Sequence, residues 1–233
     1  MAVPTFTNLG ASANPDLNTS LNQTSYVNTS WTPPTTGIIV VFVVNTKGTA
    51  AETPTMSGNS LTWTQIVTTE PATGRRMTLF AATLSGATAG ATTIDFGAGT
   101  QTSCKASFFQ VENVDTSGGI AAAFVQSPTS SGTGTTGSVT LAAAGHADNR
   151  PIAGFAHEAD EVTTKDAAWT EIDDMSHAGP TSGLETQWDT DGFASASATW
   201  VTSSAWIGIA SEIKGEQVTG PPLGGLALMG VGR

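Results

Sequence analysis

The sequence is poor in the residues that build most chemical sites. Its single cysteine, Cys104, excludes a disulfide framework and a zinc cluster of thiolates. We expect that cysteine to be a small buried side chain in a strand. Charged residues reach only 12% of the chain, and eight basic against nineteen acidic side chains give a net charge of −11. Because no basic run could follow a phosphate backbone, nucleic acid is not a predicted ligand.

Long apolar runs are also missing. The longest, Ile38–Val44, is far too short to cross a bilayer as a helix, so no membrane association is predicted. The N-terminus has no basic segment followed by an apolar stretch. We therefore expect no signal peptide and synthesis in a cytoplasm.

The motifs of common enzymes are absent as well. The sequence has no phosphate-binding loop, no nucleophile elbow and no EF-hand spacing. The segment His157–Glu161 comes near a zinc-protease motif, but Glu161 stands where the second histidine is needed. The chain is therefore predicted not to be an enzyme and to need no cofactor.

Short strands separated by Gly, Pro, Asn and Ser clusters are what the sequence has in abundance. Ile38–Val44 is β-branched and apolar throughout, which predicts a central strand buried on both faces. Threonine-rich alternation elsewhere predicts strands with one buried and one hydroxyl-rich face. The predicted class is all-β, an antiparallel β-sandwich of jelly-roll or Greek-key type.

One motif occurs twice, which indicates an internal duplication. Trp63-Thr-Gln-Ile66 returns as Trp169-Thr-Glu-Ile172, and the apolar strands around each copy follow in the same order. We predict a first β repeat over 1–115 and a second over 116–215, sharing one sandwich core. Residues 216–233 are predicted to form a Gly/Pro-rich apolar tail.

The tryptophans are divided between core and surface. Trp63 and Trp169 are predicted to be equivalent core residues because the repeat preserves both. Trp188, Trp200 and Trp206 alternate with small or polar residues and are also expected in the core. Trp31, beside two prolines in a polar segment, is expected to be exposed, where an indole face could stack on a sugar.

Eleven acidic residues lie between positions 148 and 191. Most of them, including Glu185, are predicted to be solvated, either in loops or on the outward face of strands. Calcium is the functional alternative, because carboxylate oxygens in irregular loops suit it. Its candidate ligands are Asp173, Asp174, Asp189 and Asp191.

Both chain ends contain apolar side chains that could bind a partner. The tail could lie over its own sandwich or dock on a neighbouring subunit, and the N-terminal arm, Ala2–Leu9, could act in the same way. The candidate partner-binding residues are Leu223, Leu226, Leu228, Met229, Val3 and Phe6.

The segment Gly58-Asn-Ser-Leu-Thr-Trp-Thr-Gln-Ile66, followed by Arg75-Arg-Met-Thr-Leu-Phe-Ala-Ala82, resembles a β-sandwich domain of accessory structural proteins from tailed bacteriophages. The resemblance covers about 37–215. It implies a virion protein, with capsid decoration ahead of a tail or fibre component. It also implies the major capsid protein or other virion proteins as partners, and a homo-oligomer, with a trimer favoured.

A second reading comes from a different class of protein. A carbohydrate-binding module, or a tail or fibre component that recognises glycans, would use Trp31 and optionally calcium held by the carboxylates of the second half.

Overall fold

The computed structural model describes residues 2–10, 15–48, 50–70, 74–190 and 195–216. These residues are nearly all β, with one short 3₁₀ turn at Ala121–Ala123, and the strand pairs are antiparallel. The predicted all-β sandwich class is confirmed. Within the described ranges, no helix has the length and apolar character to cross a membrane.

Two hydrogen-bonded sheets form the first half, up to residue 115. Its large sheet has the order β1-β9-β4-β7-β6, with β2 also on β9, and its small sheet has the order β3-β8-β5. The strands are β1 (Thr5–Asn8), β2 (Leu17–Thr19), β3 (Ser25–Val27), β4 (Ile38–Thr46), β5 (Thr55–Gly58), β6 (Thr64–Thr69), β7 (Arg75–Thr83), β8 (Thr92–Asp95) and β9 (Ser103–Glu112). The orders β2-β9-β4-β7 in the large sheet and β3-β8-β5 in the small sheet place strands that are distant in the chain side by side, as in a jelly roll.

The second half repeats this order with fewer breaks. Its large sheet runs β10-β16-β12-β15-β14, and β11 and β13 also pair with β16. The strands are β10 (Phe124–Gln126), β11 (Thr129–Val139), β12 (Arg150–His157), β13 (Thr164–Lys165), β14 (Thr170–Ala178), β15 (Thr181–Trp188) and β16 (Ala196–Ile213). The beginning of β16 takes the place of β8, and the end of β16 takes the place of β9.

The repeated motif produces the same irregularity in both halves. Ile66 in β6 and Ile172 in β14 are each an extra residue in a β-bulge, since the pairing shifts between Gln65 and Val67 and between Glu171 and Asp173. The bulge turns two consecutive side chains to one face. This shared local geometry is the structural counterpart of Trp-Thr-x-Ile.

The two large sheets pack face to face around a central core that takes residues from both halves. Each half also has an inner core of its own, between the two sheets in the first half and inside the single curved sheet in the second. Strand β4 serves two of these cores: Val40 and Phe42 face the central core, and Val41 and Val43 face the inner one. Its side chains are therefore buried on both faces, as predicted.

An approximate two-fold relation connects the halves. Strand β7 packs against β16, and β1 and β9 pack against β14. Phe42 of β4 meets Gly154 of β12, where an added Cβ would lie 2.7 Å from Phe42 Cδ1. The residues that follow the two bulges pair with Leu79 and Thr186. Leu79 pairs in turn with Phe42, and Thr186 pairs with Gly154, so Phe42 and Gly154 occupy equivalent positions. A large side chain thus fills the space that its counterpart leaves open.

Candidate functional site

The two sides of the central interface differ in chemistry. Each position on one side has an equivalent position in the other repeat, which lies on the other side. On one side, between β7 and β16, the residues at these positions are apolar and lie in or against the central core. On the other side, between β9, β14 and β15, they are polar or charged. Four equivalent pairs differ in this way: Asp173 and Val67, Thr186 and Leu79, Ser107 and Ile209, and Lys105 and Ile207.

The polar side is connected by hydrogen bonds between the halves. Ser107 and Thr186 share one at 3.2 Å between their hydroxyl oxygens. Asn8 Nδ2 donates to the carbonyl oxygen of Ile172 at 2.6 Å, and Asn18 Nδ2 donates to that of Ser176 at 3.1 Å. Since equivalent positions form a dry core on the other side, the polar character is specific to one of the two sides.

Lys105 is the least expected residue of this side. It is fully buried, and its Nζ has no hydrogen-bond partner among the described residues. Burial, followed by repulsion from Arg75, lowers the pKa of Lys105 to about 8. A buried and unpaired ammonium destabilises a fold. Its equivalent, Ile207, shows that the fold tolerates an aliphatic side chain there.

Arg75 is the first residue of β7 and is 6% exposed. It is level with Ser103 in the sheet, two residues before Lys105 in β9. Its Nη1 forms an ion pair with Glu158 Oε1 at 3.2 Å, and its Nη2 donates to the carbonyl oxygen of Thr181 at 3.4 Å. Within the described chain its Nε and the hydroxyl of nearby Ser182 are buried without partners. Two buried polar groups at this end of the interface, the Arg75 Nε and the Ser182 hydroxyl, therefore remain available to a partner.

A polar cleft of about 690 Å³ opens directly above these groups. Its walls come from both halves, and it lies at the end of the central interface where β9 begins. The residues that matter for its chemistry are Asn22, Thr46, Lys47, Arg75, Glu158 and Pro180. Hydroxyl, amide and guanidinium groups thus face a cleft large enough for a small ligand.

Several carboxylates of the second half are partly or fully buried, which corrects their interpretation as solvated residues. Asp173 faces the central interface beside Asp16, and burial raises the pKa of both. Glu185 is fully buried inside the second half, and burial followed by repulsion from Glu171 raises its pKa to about 10. Burial also raises the pKa of Asp174 to about 6.

The calcium candidates do not converge. Asp173 and Asp174 are consecutive strand residues that face opposite sides of β14, opposite Thr186 and Glu185 respectively. As candidate calcium ligands, these two carboxylates therefore do not point to one common site. Asp189 is 4% exposed, and Asp191 lies outside the described residues. In the described ranges, no cluster of three or more His, Cys, Asp or Glu could hold a metal ion.

The predicted exposure of Trp31 is wrong. Trp31 is 3% exposed, its Nε1 donates to Thr92 Oγ1 at 3.1 Å, and its ring packs edge-on against Phe108. The polar sequence around Trp31 led to the prediction of exposure. In the fold, however, Trp31 forms a β-bridge with Gly90 and its ring packs in the inner core of the first half. Trp31 therefore offers no stacking surface for a sugar.

The other tryptophans are in or against the cores, as predicted. Trp169 is buried in the inner core of the second half, and Trp63 packs against that of the first. Trp200 and Trp206 belong to the second inner core, and Trp188 packs against the central core. Cys104 is fully buried, also as predicted.

The N-terminal arm is part of the fold and not a free segment, which corrects its prediction as a binding arm. Residues Thr5–Asn8 pair with β9 as β1. Phe6 packs against Trp188, with ring centroids 4.6 Å apart, and the carbonyl oxygen of Val3 accepts a hydrogen bond from Asn113. The tail candidates Leu223, Leu226, Leu228 and Met229 lie outside the described residues.

Sequence reasoning missed Lys105, Arg75 and the cleft. The one available signal was a lysine inside an apolar strand, at Lys105, but strand periodicity does not show that a second sheet covers that face. Comparisons with family models, curated proteins and solved structures gave no match to this chain.

Proposed function

We propose that the protein is a non-enzymatic virion accessory protein, and that it decorates the outer surface of a capsid. Its partner would be the major capsid protein or another virion protein, and it would act as a homo-oligomer, with a trimer favoured. It would be made in the host cytoplasm and reside in the virion.

The observation that carries this proposal is where the two ends of the chain lie. Ala2 bridges to Glu216, and Val114 bridges to Gly215, beyond the last residue of β9. Lys214 Nζ and Asp115 Oδ2 form an ion pair of 2.6 Å at the same place. The apolar tail sequence that follows Glu216 therefore starts from one fixed point on the body, as a docking segment requires.

Two further features support a structural role. The three stacked cores make a body whose two halves are held together over a large apolar area. The net charge of −11 suits the outside of a shell, away from packaged DNA. Capsid decoration needs a rigid body and a segment that attaches it, and both can be varied separately in an experiment.

Co-sedimentation with purified tailed-phage capsids tests the proposal. The full chain is compared with a chain that ends at Glu216, which keeps every contact described above, and with a full-length variant in which Leu223, Leu226, Leu228 and Met229 are all serine. We expect stoichiometric binding of the full chain and loss of binding for both variants.

The oligomeric mass and melting temperature of each protein are measured in parallel. Unchanged melting temperatures would show that the variants still fold. Capsid binding that survives both changes would disprove the tail as the docking segment, and absence of binding by the full chain would disprove capsid decoration.

A further inference from the structure

The cleft between the halves combines features that a merely structural junction does not need. Arg75 lines the cleft, and the Nε of Arg75 has no partner in the described chain. Lys105, whose equivalent residue is an isoleucine, is buried behind Arg75, two residues further along β9 from Ser103, which is level with Arg75 in the sheet. Replacing Lys105 by an aliphatic residue should stabilise the fold. A destabilising cation that is retained beside an open cleft is typical of a binding site.

The charge of the cleft selects an anionic ligand. Two cations, Lys47 and Arg75, line the cleft of a chain that has only eight basic residues, and Lys105 is buried near Arg75. Both lining cations are already paired, Lys47 with Glu52 at 2.8 Å and Arg75 with Glu158 at 3.2 Å. Of the two carboxylates, Glu158 lines the cleft, so Arg75 is the cation on which a ligand can replace its partner. A planar guanidinium binds carboxylates and other oxyanions through two parallel hydrogen bonds.

Glu158 already places a carboxylate on Arg75, through a single contact. Its carboxylate reaches Arg75 Nη1 at 3.2 Å, yet its own side chain is 47% exposed and belongs to the other half. An exposed glutamate can rotate into solvent at little cost. A ligand carboxylate could then take its place on Arg75.

The remaining walls are neutral and polar. Hydroxyl and amide groups of Ser20, Asn22, Thr46, Thr102 and Thr181 line the cleft, and Pro180 adds an apolar surface. Such groups match the alternating hydroxyls and C–H faces of a sugar ring. The volume of about 690 Å³ accommodates one or two sugar units.

We propose that the cleft binds a carboxylated saccharide, whose carboxylate replaces Glu158 on Arg75 and whose hydroxyls bond to the polar walls. This site is independent of the proposed capsid docking. The cleft lies at the beginning of β9, near Ser103. Gly215 and Glu216, which precede the tail sequence, lie past the other end of β9, about 30 Å away along the extended strand.

Calorimetric titration of the full chain at pH 7 and low salt tests the proposal, since salt screens the charge of an open cleft. Four probes separate the sources of affinity: the methyl glycosides of glucuronic acid and of N-acetylneuraminic acid, neutral methyl glucoside, and sulfate. We expect at least one acidic sugar to bind, and methyl glucoside and sulfate to bind about tenfold more weakly or not at all.

Variants assign the binding to the cleft. Arg75→Gln should weaken acidic-sugar binding about tenfold or more, and Glu158→Gln should tighten it about threefold by removing the internal competitor. Lys105→Met should weaken binding about threefold and raise the melting temperature, so lost binding cannot be attributed to lost folding. Arg76→Gln is the matched control, because Arg76 pairs with Glu70 on the opposite face of β7.

Three results would overturn the proposal. They are no binding of either acidic sugar, equal binding of sulfate and acidic sugar, and acidic-sugar affinity that is the same in Arg75→Gln and Arg76→Gln. The first and third exclude the cleft as the site, and the second shows that the cleft recognises only the charge.

Discussion

At the scale of single residues, Phe42 and Gly154 explain how two similar sheets pack against each other. Two phenylalanines at these equivalent positions would collide, and two glycines would leave a cavity. The observed pair, one large and one absent side chain, fills the space once. The two halves therefore fit each other because their sequences differ at this position.

Gly154→Ala tests this fit. The new Cβ would lie 2.7 Å from Phe42 Cδ1, and we expect the free energy of unfolding to fall by about 1–3 kcal/mol from overpacking. Phe42→Leu in the same chain should recover part of this loss. Gly48→Ala is the control, since no atom lies within 4 Å of a Cβ placed there. Urea denaturation of the four proteins measures the effect, and equal stabilities for both alanine variants would contradict it.

The buried carboxylate of Glu185 predicts a stability that falls as the pH rises. Its pKa is raised from 4.5 to about 10, so the folded chain keeps a proton that the unfolded chain loses between these values. Glu185 thus opposes folding increasingly above pH 4.5. Burial lowers the pKa of His157 from 6.5 to about 4, so this residue makes stability rise between these pH values. Above about pH 6.5 it adds no further change.

Glu185→Gln should therefore match the original chain near pH 4.5 and be more stable at pH 8 by about 1–3 kcal/mol. Denaturant unfolding at both pH values measures this difference. Asp160→Asn, at an exposed position, provides the control and should show no such dependence. A gain of equal size at both pH values would mean that ionisation of Glu185 is not the cause.

At the scale of elements, the Trp-Thr-x-Ile motif is a bulge signal. The bulge lets Ile66 and Val67 both face the central core, and it places Ile172 and Asp173 in the same way. We expect Ile172→Ala to cost about 2–5 kcal/mol, because Ile172 is only 8% exposed. Ile66→Ala should cost less, since Ile66 is half-buried. Urea denaturation compares the two, and the reverse order would show that the bulges are not equivalent in energy.

Apolar β-branched runs made several strands predictable from the sequence. Ile38–Val44, predicted as a central strand, lies within β4, and the apolar run Ala106–Val111 lies within β9. The N-terminal part of β11 was not predicted, because its Thr, Ser and Gly residues resemble a loop and form a strand only by pairing with β16. Tertiary pairing likewise makes Ala196–Ile213 one long strand, β16, although its middle, Thr202-Ser-Ser204, is polar.

The site was less predictable than the strands. Alternation along β9 shows that Lys105 and Ser107 share a face with Phe109, but it does not show what covers that face. The cover comes from β14 and β15, which are far from β9 in the sequence. Burial of Lys105, Asp173 and Trp31 is therefore a property of the assembled molecule.

At the scale of the whole molecule, the central core makes each half depend on the other. It joins residues from β4, β7 and β9 to residues from β12, β15 and β16. A half on its own would expose this apolar face to water, at a cost of about 25 cal/mol for each Å². We therefore expect the full chain to unfold in one cooperative transition, with equal calorimetric and van't Hoff enthalpies.

Splitting the chain at the turn between Thr116 and Gly119 tests this dependence, since the cut breaks only a surface turn. Residues 1–117 and 118–233 expressed separately should be unfolded or aggregated, whereas co-expression should give a complex with the circular dichroism spectrum of the full chain. Cleavage of the folded chain by a protease at a site inserted in the same turn should leave the halves associated. Two separate thermal transitions, or soluble folded halves, would show that the inner cores suffice and that the central core only docks two independent domains.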